Sequence, residues 1–275
     1  MNQKNRKTQL INWEIVSVNP NDKKWDWIDL FCFWGVNLQS IIGFSLITSL
    51  YLVYELNFVV VLAGSLIASI LIYIFVNLIG SPAQKHGIPF PVFLRLSMGI
   101  EGARYVSIIR GSVGIFMFGV QSYFISKSFG YLIRISLFSL DKTLLDQDIF
   151  LIFFFSLNII DWISFLFAIL LQIFLFSRSH SYNKIFINFS ASIVYLGMIS
   201  ILILIFSENS KYILDSFSDI LVFDNFFNKN NVGPILAVTG TIFAYFSIIV
   251  VNFGDYSRYV KNEKELKKGN LSLIL

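Results

Sequence analysis

Gly35, Asn37 and Gln39 lie in one otherwise apolar run that extends from Asp29 to about Tyr54. A primary amide offers an acceptor and two donors but does not titrate near neutral pH, so amides bind polar solutes well and transfer protons poorly. About 20 apolar residues cross the hydrocarbon core as a helix, and polar groups at that depth mark a solute or ion path. Positions two apart on an intact helix face nearly opposite sides, so Asn37 and Gln39 share one cavity only where the backbone opens locally. Gly35 is the residue at which opening costs least. An unwound stretch in the membrane lines a protein cavity, where its carbonyls suit a cation and the amides a solute. The run predicts a solute and ion site around which the other helices are built.

Gln121 follows Gly119 on another apolar run. Two readings stay open for it: polar glue between helices, worth about 0.6 kcal/mol, or contact with a solute. Asn37 is open in the same way. Asp255 and Arg258, three apart near the end of the last apolar run, read as a structural ion pair. No spaced metal cluster or nucleophile-base constellation is present, so the chain is not expected to be an enzyme or to carry a cofactor. Its single cysteine, Cys32, excludes an internal disulfide and reads as a small buried hydrophobe.

The elements that must position these residues follow from composition. Hydrophobic residues make up 56% of the 275, charged residues only 14%, and mean hydropathy is +0.70. This is the composition of an all-α polytopic membrane protein. The net charge of +4 resides in short segments between apolar runs, which membrane orientation explains and nucleic-acid binding does not. Residues 1–27 form a basic tail with Lys4, Arg6, Lys7, Lys23 and Lys24, closed by Trp25 and Trp27 at the interface. Spans are expected at about 28–54, 58–79, 111–132, 162–176, 185–206 and 233–253, with Thr239, Gly240 and Thr241 interrupting the last. Pro82, Gly87, Pro89, Pro91, Gly99 and Gly102 predict a basic loop over 80–110, and 149–160 reads as an interfacial helix ending at Asp161. Asp141, Asp146 and Asp148, and the loop 207–231 with Glu208, Asp215, Asp219 and Asp224, are acidic and read as outside. Lys261, Lys264, Lys267 and Lys268 are basic and read as inside. Six spans with both termini cytoplasmic, in the plasma membrane or the inner one of two, is the economical topology. A pore-type channel is disfavoured because no span carries a repeated polar stripe.

Five stretches resemble the nucleobase-cation-symport-1 family: Trp34-Gly35 to Gln39, Gly87-Ile88-Pro89-Phe90-Pro91-Val92 with Arg95, Gly99 to Arg104, Phe118-Gly119-Val120-Gln121, and Asn252 to Tyr259. The resemblance implies two inverted five-helix repeats, with residues 28–206 as the first, 207–231 as an outside loop and 232–275 as the first helix of the second with a basic tail. It implies a symporter that imports a nucleobase, hydantoin, allantoin or related heterocycle with Na+ or H+. Gln39 and Gln121 match the amides that bind the ring. Gly35 and Leu38 match positions whose carbonyls hold sodium. Met117 and Phe246 stand where relatives sandwich the ring between tryptophans, a departure that leaves the substrate class open. The family runs to about twelve spans, so a truncated or split chain is expected, completed by a second chain. The alternative is a non-transporting permease remnant, or a half-subunit that associates with a second membrane chain.

Overall fold

The computed structural model describes residues 15–143, 145, 152–178, 180–220 and 231–274. Lys4, Arg6, Lys7, Asp146, Asp148 and Asp224, with residues 149–151 of the expected interfacial helix, lie outside the described residues. Among the described residues, five helices are long and apolar enough to cross a membrane, or six when one bent pair counts as a single span, as expected for an all-helical polytopic membrane protein. The chain divides into two compact units, residues 1–103 with 186–275, and residues 104–185.

In the first unit the first span is a broken pair, α1 (Trp27–Leu38) and α2 (Ile41–Leu52), bent by 56°. A capping box starts α1: the Asp26 carboxylate accepts from the Ile28 and Asp29 N–H groups, and Asp29 accepts from the Asp26 N–H. After Asn57 caps it, α3 (Phe58–His86) runs past the expected end at Ile79 and through Pro82. It stops at Gly87, whose φ of 70° only glycine adopts without strain and where a Cβ would lie 2.6 Å from the Val18 carbonyl.

The loop expected over 80–110 is therefore mostly helix. Only Gly87 to Pro89 separate α3 from α4 (Phe90–Leu140), and Pro91 sits in the first turn of α4, where a missing N–H leaves no bond unmade. Gly99, at φ 69° and ψ −175°, kinks α4, whereas Gly102 is helical. The Asp255 carboxylate accepts from the Phe90 N–H at 2.8 Å and so caps α4. Arg258 is buried beside it and donates to the Asp255 carbonyl and the Tyr259 hydroxyl.

The main packing is between α3 and α7 (Val232–Asn252). Gly64, Ala68, Ile72, Val76 and Gly80 recur every fourth residue along the buried face of α3, and Val238, Ile242, Phe246 and Val250 line α7. Small residues let the two backbones approach: a Cβ on Gly64 would sit 2.7 Å from Val238, and one on Gly80 2.9 Å from Phe253. Thr239 donates to the Gly64 carbonyl at 3.1 Å, and α7 continues unbroken through Thr239, Gly240 and Thr241. These polar residues do not interrupt the helix; the Thr239 hydroxyl shares its single proton between the Gly64 carbonyl and the Ile235 carbonyl one turn earlier in α7.

Beyond α7 the chain folds back as α8 (Gly254–Ser257) and α9 (Glu263–Asn270). The basic tail expected after Lys261 contains this helix, which packs on α1 and α3. Glu265 accepts the Trp27 N–H at 2.9 Å, Trp25 pairs with Val260, and the Lys268 ammonium lies 3.8 Å over the Trp27 ring. Trp34 donates to Asn270, which donates to Asn77, both at 3.0 Å, in an interior made by Phe33, Trp34, Phe253 and Tyr256.

In the second unit α4 runs against α5 (Ile159–Phe176). Residues 153–158, expected as part of an interfacial helix, form a hairpin of β1 (Phe153–Phe154) and β2 (Leu157–Asn158) instead. Asn158 and Asp161 form the capping box of α5. Asp161 also accepts from Lys127 at 3.2 Å and Arg134 at 3.0 Å, and farther along Ser122 pairs with Gln172. The next helix, α6 (His180–Ile220), extends past the expected end at Phe206, through Glu208, Asp215 and Asp219.

Candidate functional site

The break in the first span falls at Gln39-Ser40, four residues beyond the expected opening at Gly35. Gly35 is helical and buried, and its missing side chain serves packing: a Cβ there would lie 2.3 Å from the Tyr195 hydroxyl of α6. Ser40 ends one helix and starts another because its Oγ accepts the Gly43 N–H at 3.0 Å, a serine N-cap. The last α1 bond runs from the Gln39 N–H to the Gly35 carbonyl at 3.1 Å, and the first of α2 from the Phe44 N–H to the Ser40 carbonyl at 2.9 Å. Carbonyls 36–39 lie beyond the last of these donors, so the negative end of α1 meets the positive end of α2. Such an opening suits a cation on one side and an electron-rich solute group on the other.

Leu38 is among those carbonyls, while the Gly35 carbonyl already accepts a bond. The Asn37 amide donates to the Phe33 carbonyl of its own helix at 2.7 Å, which occupies one of its protons. Gln39 differs: its Oε1 is buried and has no hydrogen-bond partner among the described residues. A buried carbonyl left unmatched is destabilising by about 1–3 kcal/mol, and a ligand N–H in that position removes the penalty.

Phe246 is on α7 in the same unit, buried in the α3–α7 core with its ring edge-on to Tyr245 at 4.9 Å. The Tyr245 hydroxyl, not the Phe246 ring, reaches the break, 2.6 Å from the Ser40 Oγ. Ser40, Tyr195 and Tyr245 are the residues that the sequence reading passed over. Ser40 carried a signal, a cap-forming residue directly before an apolar run. The two tyrosines carried none. Met117 and Gln121 belong to the second unit, on α4, with Met117 half-buried and Gln121 exposed. Among the described residues, no three His, Cys, Asp or Glu side chains are grouped to hold a metal ion.

Comparison with known proteins places residues 17–275 on a family model described as permease for cytosine/purines, uracil, thiamine, allantoin. The allantoin permease of Bacillus subtilis (strain 168) is 27% identical over 115 residues, 42% of this chain and 23% of that protein. The purine-uracil permease NCS1 of Arabidopsis thaliana is 27% identical over 119 residues, 42% of this chain and 19% of that protein. The aligned stretches thus span less than a quarter of those relatives. No solved structure matches the chain.

Proposed function

Because the chain belongs to the family of permeases for cytosine/purines, uracil, thiamine and allantoin, we propose that it forms the solute-binding part of a secondary transporter for a small nitrogenous heterocycle. The observation that carries this reading is the break at Gln39-Ser40 with the orphaned Gln39 Oε1 beside it. A ring N–H satisfies that oxygen, and the solute exchanges its hydration for the amide and the aromatic lining. Phe246 backs the site from α7.

The coupling ion is Na+ or H+. A sodium ion suits the free end of α1, where the Leu38 carbonyl lies beyond the last helical donor and the Gly35 carbonyl has a second lone pair to share. Both termini are assigned to the cytoplasm of a plasma or inner membrane by the basic segments around Lys23 and Lys261. The names of the two relatives, an allantoin permease and a purine-uracil permease, support this solute class.

Uptake of labelled uracil, cytosine, hydantoin and allantoin into cells or vesicles containing the protein, under imposed inward Na+ or H+ gradients, tests the reading. Gradient-driven accumulation of one compound is expected. Absence of uptake and of binding, from protein shown to be folded, refutes it.

A further inference from the structure

The hydroxyls at the break carry an inference that rests on the permease reading and goes beyond its amides. The Ser40 Oγ accepts the Gly43 N–H at 3.0 Å and lies 2.6 Å from the Tyr245 Oη, with either hydroxyl able to donate to the other. The bond from Gly43 uses a lone pair of Ser40 and leaves its proton available. Two hydroxyls hold two protons, and the bond between them uses one. Whichever oxygen donates, one O–H proton of the pair stays uncommitted among the described residues. Both side chains are half-buried and therefore within reach of a solute.

Gln39, the residue before Ser40, has its Oε1 buried without a partner among the described residues. The break therefore carries both a spare donor, at Ser40 or Tyr245, and an orphaned acceptor, at Gln39. That combination complements a cyclic amide, in which a ring C=O stands next to a ring N–H. We propose that the Ser40–Tyr245 hydroxyl pair is a further solute contact, donating its spare proton to a ring carbonyl while Gln39 Oε1 accepts from the adjacent ring N–H. The pair is also a specificity determinant, because a ring without an oxygen acceptor at that position leaves the donor unmatched.

The test is equilibrium binding of uracil, hydantoin and allantoin, each beside its thiocarbonyl analogues, to the full protein in membrane vesicles. Sulfur is a poor acceptor, so the protein prefers an oxo ring to one of its thio analogues by about three- to tenfold, the worth of one hydrogen bond. Tyr245→Phe and Ser40→Gly alone keep that preference, since each leaves one hydroxyl, and glycine is itself a tolerated cap. The double variant loses it. Ser40→Cys with Tyr245→Phe keeps the shape of the site and gives the same comparison if the glycine pair does not fold. A double variant that binds and retains the full oxo preference overturns this proposal alone. Folded wild-type protein that binds none of the rings overturns the transport reading, and this proposal with it.

Discussion

Replacing Gly64 by alanine puts a Cβ 2.7 Å from both Cβ and Cγ1 of Val238 and 3.0 Å from the Ile235 carbonyl. None of these is the loose end of a flexible side chain, so α3 and α7 must separate. Carbon atoms pack at about 3.5–4.0 Å, which asks for a shift of close to an ångström, and a gap of that size forfeits a quarter to a half of each neighbouring dispersion contact. The shift also stretches the 3.1 Å bond from Thr239 to the Gly64 carbonyl beyond hydrogen-bonding range. Overpacking of this kind destabilises by about 1–3 kcal/mol. Gly240, on the same α7, is the internal control, because a Cβ there meets nothing within 4 Å. The same change at Gly240 is neutral or stabilises by up to about 1 kcal/mol through helix propensity. Thermal melting of the purified protein in detergent, followed by size-exclusion, reads both. Equal melting of Gly64→Ala and wild type, or an equal loss in Gly240→Ala, refutes the close-packed α3–α7 face.

Other expectations follow from polar groups. Asp161→Asn weakens the α4–α5 unit by about 1–3 kcal/mol, less than a fully buried pair, because Lys127 and Arg134 remain about a quarter exposed (27% and 26%); limited proteolysis between α4 and α5 detects it. Asn270→Leu leaves the buried Trp34 N–H without its acceptor and lowers the melting midpoint, whereas Asn270→Leu with Trp34→Phe recovers part of the loss. Lys267 holds the Glu263 carboxyl below its usual pKa, so the small stabilisation from this exposed pair is present above the carboxylate range and is lost as pH falls; Glu263→Gln lowers the melting midpoint at neutral pH only slightly and removes that part of the pH dependence. Gln39→Leu retains or raises thermal stability while weakening solute binding, since an apolar side chain removes the orphaned carbonyl, and differential melting with and without uracil or allantoin separates the two effects.

The order of the apolar runs made the helical membrane class and most spans readable, because long hydrophobic segments leave few alternatives. The break in the first span was readable too, from its buried amides, but its position was not. Gly35 looked like the weak point, yet it is held helical under Tyr195, and Ser40 supplies the cap that restarts the helix. The same ambiguity misplaced the loop over 80–110: glycine and proline there permit a break, but only Gly87 and Gly99 take up positive φ. The four-residue stripe of α3 shows where such residues serve packing. The hairpin at 153–158 was hidden for the opposite reason, since Phe155 and Ser156 carry its left-handed turn in place of the usual Asn or Gly. Tyr245 was out of reach of sequence reasoning, because nothing local separates a tyrosine that bonds Ser40 from the others of an aromatic-rich chain.

The most direct test of a solute site at the broken helix is equilibrium binding of radiolabelled uracil, hydantoin and allantoin to the purified protein in bilayers, with and without Na+, for wild type and Gln39→Leu. Saturable binding of one ring by wild type, weakened about tenfold or more in a Gln39→Leu variant that melts no lower, is the expected result. Binding unchanged by Gln39→Leu, or absent from folded wild type, contradicts the account.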